Sequence, residues 1–263
     1  MKKQRLGQNF LINESIAREI IEQAGVANDQ NILEIGPGKG ILTAILIKKT
    51  QSLTAIEIDP KLCLELTNRF KKNNNFQLIQ SDAIKYDYSK LINRYQIISN
   101  LPYYAATHIL KRLIHYRKYF TSITVMLQKE VVDRLVATPE SRSYGSLSIF
   151  IQFYCDVERL MEVGKESFSP KPKIDSSVIK LTPLENPRAK VDSLKTFFSV
   201  VNASFLHKRK MLKNNLTEWN NLFHNLNGKI ELAGIDLNRR GETLSIEDFA
   251  RLSNYIYACN EKI

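Results

Sequence analysis

One short stretch combines the residue types that could present a planar base to an electrophile: Asn100-Leu101-Pro102-Tyr103-Tyr104, after the apolar run Tyr95–Ser99. The amine on an aromatic base is a poor nucleophile because its lone pair is delocalised into the ring. Two fixed acceptors, the Asn100 side-chain oxygen and the Leu101 or Pro102 carbonyl, would hold both amine hydrogens and favour a pyramidal nitrogen. Tyr103 would stack on the base and align it for in-line attack on a methyl sulfonium. An ordinary turn explains the same residues, so other parts of the sequence must decide.

A glycine-rich turn supplies a setting: Leu33-Glu34-Ile35-Gly36-Pro37-Gly38-Lys39-Gly40 passes from a strand-like run into a helix-like one. Glycines let a ligand approach the backbone, and a helix N-terminus offers free N–H groups. The third glycine is Gly40 and Ile41 follows, so the dinucleotide fingerprint G-x-G-x-x-G is not met. The spacing G-x-G-x-G after Glu34 is the form used for S-adenosylmethionine, with Gly36 and Gly38 as candidate contacts. A plain turn is the alternative.

Acidic residues follow the next two strand-like runs. Glu57 and Asp59 close the run Ala55–Asp59, about 20 residues after the glycines, where a carboxylate suits the two hydroxyls of a nucleoside ribose. Asp82 could accept a hydrogen bond from an adenine amine. A dinucleotide and S-adenosylmethionine would both use such acids. The simpler alternative is that each is a solvated acid at a strand end or in a turn. They therefore support a nucleoside ligand without choosing one.

The elements that must position these residues alternate along the chain. Asn13 is the predicted N-cap of an amphipathic helix over residues 13–25. Strands are predicted at residues 31–35, 53–58, 76–80, 95–99 and 123–127, with helices such as 41–49 and 61–72 between them. This alternation predicts parallel βαβ units in a doubly wound, Rossmann-like α/β sheet. Such sheets bind ligands at the carboxyl ends of their strands, where Asn100 and the glycine turn fall.

The character of the sequence changes near residue 183. Residues 148–163 fit either a helix or a strand by periodicity, and Ser176–Leu181 alternates like a strand. Pro183–Pro187 is predicted to be a linker. The polar, helical sequence beyond it includes Trp219, which is predicted to lie in a core. We therefore expect a sheet domain over residues 1–184 and a small α-helical domain over residues 185–263.

The chain is strongly basic, with a formal net charge of +11 from 38 Lys and Arg against 27 Asp and Glu residues. This balance favours a polyanionic partner, because cations that neutralise phosphates release condensed counterions. A merely basic protein would have the same total, so the clustering matters more. The cations cluster at Lys2, Lys3 and Arg5; at Lys111, Arg112, Arg117 and Lys118; at Lys171 and Lys173; and at Lys208, Arg209, Lys210 and Lys213.

Several classes of protein are disfavoured by composition. No stretch approaches the ~20 apolar residues of a membrane span, and the start lacks the long apolar run of a signal peptide. Cys63, Cys155 and Cys259 are odd in number and lack metal-ligand spacing, which predicts reduced thiols in a cytoplasmic protein. The four histidines show no pairing that suggests a metal ligand or a general base, so no metal is predicted.

Six motifs together resemble one known family: GQNFL (7–11), EIGPGKG (34–40), IEID (56–59), SDA (81–83), NLPYY (100–104) and FSPKPKIDS (168–176). Over residues 5–182 the chain resembles the small-subunit ribosomal RNA adenine N6,N6-dimethyltransferases of the KsgA type, with a weaker similarity in HKRKML (207–212). The joint match is specific, although each motif alone is not. The resemblance implies a class I methyltransferase fold, S-adenosylmethionine as cofactor, and dimethylation of two adjacent adenosines in a hairpin near the 3′ end of small-subunit rRNA.

The resemblance also implies roles for individual residues on the cofactor side of the site. Asn9 and Leu11 would border the methionine end, and Gly36 would approach the cofactor through its backbone. Glu57 would hold the ribose hydroxyls, and Asp82 the cofactor adenine.

On the target side, the resemblance implies that Asn100 and Pro102 orient the amine while Tyr103 and Phe168 sandwich the flipped base. Asn100 would also touch the cofactor. Tyr104 stands where many relatives carry Asn, which leaves the outer edge of the target pocket undefined.

The expected partner is rRNA in a precursor of the small ribosomal subunit, bound by a monomer through cations that include Lys208, Arg209 and Lys210. The nearest alternative is a large-subunit rRNA adenine methyltransferase that confers macrolide resistance. A ribosome-assembly factor without catalysis and a nicotinamide dehydrogenase are the alternatives from other classes. The glycine spacing disfavours the dehydrogenase.

Overall fold

The computed structural model describes residues 9–219 and 231–260, without the side chains of Glu218, Trp219 and Asn260. The basic residues Lys2, Lys3 and Arg5 and the predicted core position of the Trp219 side chain lie outside this description. The chain divides into two compact units, residues 1–132 with 156–183, and residues 133–155 with 184–263. Residues 133–155, which fall within the sheet domain predicted over residues 1–184, group with the second unit.

The elements up to residue 128 are β1 (Phe10–Leu11), α1 (Glu14–Gln23), β2 (Asn31–Ile35), α2 (Ile41–Leu46), β3 (Ser52–Glu57), α3 (Pro60–Phe70), β4 (Phe76–Gln80), β5 (Tyr95–Asn100), α4 (Ala106–His115) and β6 (Phe120–Gln128). They are followed by α5 (Lys129–Leu135), α6 (Ser146–Tyr154), β7 (Cys155–Val163), β8 (Phe168–Ser169), β9 (Ser176–Pro183), α7 (Leu194–Ser204), α8 (Leu212–Trp219), β10 (Glu231–Leu232), β11 (Ile235–Asp236) and α9 (Ile246–Asn260).

A seven-stranded sheet in the order β4-β3-β2-β5-β6-β9-β7 forms the centre of the first unit. Strands β2 to β6 pair in parallel, and β9 runs antiparallel to β6. The predicted doubly wound α/β class is confirmed. The antiparallel strand β9, next to β6, is an addition to the parallel βαβ pattern that the sequence predicted.

Two helices of the first unit, α1 and α3, begin at a side chain that caps them. The Asn13 side chain accepts hydrogen bonds from the N–H groups of Ser15 and Ile16, at 3.0 and 3.3 Å, which confirms its predicted role as N-cap of α1. Asp59 caps α3 in the same way, with Pro60 at the first helical position. The apolar faces of α1 and α3 then pack into one core cluster with α2 and the central strands.

The ambiguous residues 148–163 contain both elements. Residues 146–154, SLSIFIQFY, are apolar almost throughout and form the buried helix α6, whereas residues 155–163, CDVERLMEV, alternate and form β7. The window therefore spanned a change of element at Cys155, and neither a helical nor a strand period could fit the whole of it.

A two-stranded ribbon joins the start of the described chain to a segment far along it. Strand β1 pairs antiparallel with β8, which places Phe10 opposite Ser169 and Leu11 opposite Phe168. The Ile12 N–H extends the ribbon by donating to the Ser167 carbonyl at 2.9 Å. This pairing brings the motifs of residues 9–11 and 168–169 together.

The second unit is helical, as predicted, and contains a short hairpin as well. The Phe153 ring stacks on Phe197 at a centroid distance of 4.6 Å and an interplanar angle of 29°. This contact between α6 and α7 explains why residues 133–155 join the second unit. Strands β10 and β11 form a hairpin through Ala233 and Gly234, both at positive φ. None of the helices in the described ranges has both the length and the apolar composition that a bilayer crossing requires.

Candidate functional site

A cleft lies in the first unit at the carboxyl ends of β2 and β5, where the strand order of the sheet reverses. The backbone pairing of β2 with β5 ends at Leu33 and Ile97. Beyond these residues a side-chain hydrogen bond connects the two strands. The Ile35 N–H donates to Ser99 Oγ at 2.7 Å, in place of a backbone acceptor. The ends of the two strands therefore separate into a crevice that the glycine turn and the NLPYY turn both border.

The glycine turn closes one side of the cleft with a left-handed backbone at Gly36, Gly38 and Gly40. A Cβ atom on Gly38 would lie 3.0 Å from the Phe10 ring, and one on Gly40 would lie 2.8 Å from Leu66. Neither position has room for a side chain, and positive φ disfavours one at both. At Gly36 and Gly38, which line the cleft together with Pro37 and Lys39, the turn therefore presents backbone without a side chain.

Glu57 lies at the end of β3, buried to 3% exposure, and its carboxylate already accepts three backbone hydrogen bonds. Oε1 accepts from Ile58 and Asp59 N–H at 2.8 and 2.9 Å, and Oε2 accepts from Gly38 N–H at 3.2 Å. A carboxylate offers about four acceptor sites, so Glu57 has room for about one further donor unless the Gly38 bond yields. Glu57 therefore also holds the glycine turn, a role that the sequence did not suggest.

The other acids near the cleft differ in what their oxygens do. Asp59 Oδ1 caps α3 by accepting from Lys61 N–H at 2.9 Å, which gives it a structural task. Asp82 follows β4, lines the cleft and uses Oδ1 to accept from Ile84 N–H at 2.9 Å. Its second carboxylate oxygen has no recorded partner in the described part of the chain, so it can accept from a ligand.

Glu34 is a buried carboxyl group in β2, and no role was predicted for it. Its side chain is 1% exposed, and Oε2 accepts a 2.6 Å hydrogen bond from Thr43 Oγ1. Burial raises the pKa of Glu34 to about 8; the hydrogen bond from Thr43 opposes the rise, and the charge of Glu57 adds to it. At neutral pH Glu34 is therefore mostly protonated, and the cleft has one negative charge fewer. An acid within the apolar run Ile32–Ile35 was the signal that could have identified it.

Asn100 ends β5 with a side-chain oxygen that is buried and has no hydrogen-bond partner among residues 9–219 and 231–260. The backbone around it is fixed, because Leu101 N–H donates to the Met126 carbonyl at 3.3 Å and Ala105 N–H to the Pro102 carbonyl at 3.0 Å. One lone pair of the Pro102 carbonyl is thus used by the turn, and one is left. Gln96 Oε1, Thr124 Oγ1 and Arg112 Nε are also buried without a partner in the described part of the chain, but of these four residues Asn100 alone lines the cleft. Buried acceptors are rarely left unsatisfied in folded proteins, so Asn100 Oδ1 is placed to accept from a donor outside the chain.

Tyr103 is held in place by a 2.5 Å hydrogen bond between its hydroxyl and Ser176 Oγ, at the start of β9. Burial raises the pKa of Tyr103, so the ring is a neutral phenol at physiological pH. Ser176 is the last residue of the motif FSPKPKIDS, and no role was predicted for it. Sequence spacing could not indicate its contact with Tyr103, because the two residues lie 73 positions apart.

Phe168 lies beside Tyr103 but is packed in the core, at 3% exposure. The two ring centroids are 6.4 Å apart, and the rings are inclined at 61°. A base held between two ring faces needs about 7 Å and near-parallel rings, from two contact distances of roughly 3.5 Å. The sandwich of the target base therefore requires Phe168 or Tyr103 to turn, and it stays a prediction.

The structure brings most of the predicted site residues together in the first unit. Asn9, Leu11, Gly36, Gly38, Glu57, Asp82, Asn100, Pro102 and Tyr103 all line the cleft. Phe168 reaches the same region through the β1–β8 ribbon. Lys208, Arg209 and Lys210 belong to the second unit, where all three side chains are exposed in the turn between α7 and α8.

The fold and the cleft define the class of protein. A doubly wound sheet carries a bare glycine turn, an acid at the end of the next strand and an Asn-Leu-Pro-Tyr turn, all around one crevice. This is the architecture of a Rossmann-like class I methyltransferase.

The chain matches the sequence model of the ribosomal RNA adenine dimethylase family over residues 1–258, and it belongs to this family. It is accordingly an S-adenosylmethionine-dependent rRNA adenine dimethyltransferase.

Similar proteins cover nearly the whole chain. A protein of Clostridium botulinum strain Langeland named ribosomal RNA small subunit methyltransferase A is 45% identical over 96% of this chain and 93% of its own length. One of Oceanobacillus iheyensis with the same name is 40% identical over 99% and 92%. Among solved structures, a dimethyladenosine transferase from Plasmodium falciparum has a TM-score of 0.78 at 26% identity, over 96% of this chain and 98% of its own. The 23S rRNA methyltransferase ErmE, at a TM-score of 0.70 and 21% identity, over 95% of this chain and 100% of its own, shares the fold.

Proposed function

We propose that the chain transfers methyl groups to the N6 amines of two adjacent adenosines in the 3′-terminal hairpin of small-subunit rRNA, two to each, during ribosome biogenesis. The observation that carries the proposal is the Asn100 side-chain oxygen, which is buried at the carboxyl end of β5 and has no partner among the residues that the structure describes. An exocyclic amine is a donor that would satisfy it. The relatives named small subunit methyltransferase A support this choice of substrate.

The residues of the cleft suit S-adenosylmethionine, which supplies an electrophilic methyl group when bound. The glycines let a ligand come close to the backbone of the turn, and a Cβ at Gly38 would clash with Phe10. We assign Asn9 and Leu11 to the methionine end, Gly36 and Gly38 to backbone contacts, Glu57 to the ribose and Asp82 to the adenine. The unused oxygen of Asp82 fits an adenine amine, and Glu57 has about one acceptor site left for a ribose hydroxyl.

The target adenine would enter beside Asn100. The Asn100 oxygen accepts one hydrogen of the N6 amine, and the remaining lone pair of the Pro102 carbonyl accepts the other. Holding both hydrogens out of the ring plane weakens conjugation, so the nitrogen lone pair becomes available for attack. Tyr103, fixed by Ser176, packs on the base and limits its orientations.

No dedicated base is needed for the proton that leaves the nitrogen. As the nitrogen bonds to the methyl carbon, the bond from that carbon to sulfur would break and S-adenosylhomocysteine would leave. The resulting ammonium centre is strongly acidic and would lose its proton to water. In the described part of the chain no histidine lines the cleft. Glu34 is buried, its pKa is raised to about 8 and it is engaged by Thr43, so it is poorly placed to receive this proton.

The wider setting follows from the charge of the chain and its cysteines. We propose that the substrate is a precursor of the small ribosomal subunit, and that the exposed cations Lys208, Arg209 and Lys210 contact its phosphates. We further propose that the chain acts as a monomer in the cytoplasm. Its cysteines, Cys63, Cys155 and Cys259, are all free, which suits a reducing compartment.

Mapping of methylated nucleotides tests the proposal directly. The chain is incubated with labelled S-adenosylmethionine and either immature 30S particles or immature large-subunit particles. We expect the label on N6 of two adjacent adenosines of small-subunit rRNA, as dimethyladenosine. Label on a large-subunit adenine, together with macrolide resistance of a susceptible host that expresses the chain, would establish the alternative. Particle binding without any label would indicate an assembly factor.

A further inference from the structure

Tyr104 is an exposed aromatic side chain at the cleft to which the proposed chemistry gives no role. It lines the same cleft as Glu57 and Asp82, and 53% of it is exposed. The hydroxyl of its neighbour Tyr103 is hydrogen-bonded to Ser176. Tyr104 instead lies near Glu57 and Asp82: partial burial raises the pKa of the Tyr104 phenol, and the charges of these two acids raise it further. The two tyrosines of the turn therefore face different groups.

Two further exposed apolar side chains line this cleft. Ile58 is 43% exposed and directly follows Glu57, and Ile84 is 37% exposed and follows Asp82 by two residues. Large apolar groups that gather in solvent around one cleft indicate a ligand surface. Each acid thus has an exposed apolar side chain beside it. A ligand that suits this arrangement has flat apolar faces and a hydrogen-bonding edge, as adenine does.

We infer that Tyr104 packs the face of its ring against the adenine base of the cofactor and closes the nucleoside end of the cleft. The inference rests on the proposed placement of adenine beside Asp82, and it deepens that proposal by naming a residue of this chain that determines cofactor affinity. The base would then be gripped at its edge by the free Asp82 oxygen and covered on a face by Tyr104. This grip is independent of the acceptors that hold the target amine.

The position of Tyr104 in the chain suits a ring that reorients on a fixed backbone. It lies between Pro102 and the start of α4, and the bond from Ala105 N–H to the Pro102 carbonyl fixes the backbone on both sides of it. Its side chain makes no recorded hydrogen bond among the described residues, so the ring can adjust to a ligand without breaking one. Exposed in the free protein, the ring becomes shielded from solvent only when a base arrives.

The test measures ligand binding without RNA. Calorimetry of S-adenosylhomocysteine and of 5′-methylthioadenosine compares the wild type with Tyr104→Ala and Tyr104→Phe. A stacked ring contributes roughly 1–3 kcal/mol per base, so we expect Tyr104→Ala to bind both ligands at least about five-fold more weakly. Tyr104→Phe keeps the ring and should remain within about two-fold of the wild type. Leu64→Ala removes another exposed apolar side chain, one that does not line the cleft, and controls for a general surface effect.

The methylthioadenosine arm decides the outcome, because this ligand carries the adenine but lacks the amino-acid end. An unchanged affinity of Tyr104→Ala for methylthioadenosine would overturn the inference, whatever happened to S-adenosylhomocysteine. An unchanged cofactor affinity with a raised KM for RNA would place Tyr104 on the target side and overturn it too. Methylation mapping of the wild type tests the proposed function separately, so failure of either idea can be told from failure of the other.

Discussion

Asn100 keeps a polar atom in a position that is unfavourable for stability alone. An unsatisfied buried acceptor costs about 1–3 kcal/mol, and Asn100 Oδ1 has no partner within the described ranges of the chain. In the proposed function, the same oxygen accepts a hydrogen of the target amine. Stability and catalysis should therefore respond to its removal in different directions.

We expect Asn100→Ala to lower the single-turnover rate of methyl transfer on the order of 100-fold, by analogy with removal of one preorganised hydrogen-bonding group from an active site. The free energy of unfolding should stay the same or rise, because the unsatisfied acceptor is gone. RNA affinity should be nearly normal, since phosphate contacts supply most of it. Rapid-quench kinetics at saturating cofactor and a urea titration measure the two effects.

Asn100→Asp is the matched variant, because it retains a side-chain acceptor. It should keep more activity than Asn100→Ala, although its charge weakens binding of nucleic acid. Cofactor affinity is measured separately for both variants, because Asn100 lies in the cofactor cleft as well. A folded, cofactor-saturated Asn100→Ala protein with the wild-type single-turnover rate would refute the role of the oxygen.

Glu34 should make stability fall as the pH rises. Its pKa in the folded protein is about 8, against 4.5 for the ordinary group, so between these values the folded state binds more protons than the unfolded state. Stability therefore decreases from about pH 4.5 to about pH 8 by this group's contribution. The isosteric Glu34→Gln cannot ionise. We therefore expect the unfolding free energy of Glu34→Gln, relative to that of the wild type, to increase as the pH rises from about 4.5 to about 8.

Urea titrations at pH 5 and pH 8 measure this difference. Asp59→Asn serves as a control, because the Asp59 side chain caps α3 and Asn is also a good N-cap. A difference between Glu34→Gln and the wild type that is independent of pH would mean that Glu34 ionises at its ordinary pKa.

At the scale of elements, the sequence predicted the long strands and missed the two-residue ones. Strands of the parallel sheet are apolar runs bounded by turns, and four of the five were predicted to within one residue at each end; β6 extends beyond its predicted five-residue core. Strands β1, β8, β10 and β11 have two residues each and no period at all. Their pairing depends on the folded chain around them, so no local pattern could indicate it.

The turn that carries Lys208, Arg209 and Lys210 is held by a buried side chain of α8. Asn215 is fully buried; its oxygen accepts from His207 N–H at 3.2 Å, and its nitrogen donates to the carbonyls of Ser204 at 2.9 Å and His207 at 3.1 Å. The cations themselves are exposed on the surface of the turn. Asn215 is therefore a positioning residue for this basic turn.

Asn215→Ala should lower the free energy of unfolding on the order of 2–3 kcal/mol, because it leaves buried backbone groups unpaired. It should also weaken RNA binding, since the cations of the turn lose their fixed positions. The control is Asn214→Ala, which removes an exposed amide one position earlier in α8. RNA affinity equal to that of the Asn214 variant would show that the cations act without a fixed turn.

At the scale of the whole molecule, a net charge of +11 should make RNA binding depend strongly on salt. Changing Lys208, Arg209 and Lys210 to Glu together should weaken RNA binding and reduce the slope of log affinity against log salt by about 2, at roughly 0.7–0.9 for each phosphate that is no longer neutralised. Cofactor affinity should not change. Filter binding between low and physiological salt measures the slope.

The same charge change at Lys61, Lys71 and Lys72 controls for total charge. These exposed lysines lie at the start of α3 and just after its end, in the first unit. Equal effects of the two triple variants would show that net charge alone governs binding, and would remove the basic turn from the RNA footprint.

Much of the candidate site could be predicted because its residues fall at strand ends. Glu57, Asp82, Asn100 and the glycine turn each follow an apolar run, and parallel strands bring such ends to one edge. Phe168 and Leu11 follow no such run, so only the resemblance placed them in the site. Sequence spacing also gave no way to know that Asp59 would cap a helix while Glu57 would hold the glycine turn.

The β1–β8 ribbon has a consequence for the order in which a newly made chain can mature. A ribosome synthesises β2 to β6 long before it reaches residues 168–169, which pair with Phe10 and Leu11. Until then the strand that borders the cleft has no partner, and Leu11, 4% exposed in the folded protein, has no Phe168 to pack against. The partner of Tyr103, Ser176, emerges later still. A nascent chain can thus assemble most of its parallel sheet yet lack a finished cleft, and methyl transfer must wait until translation has passed β8 and reached β9.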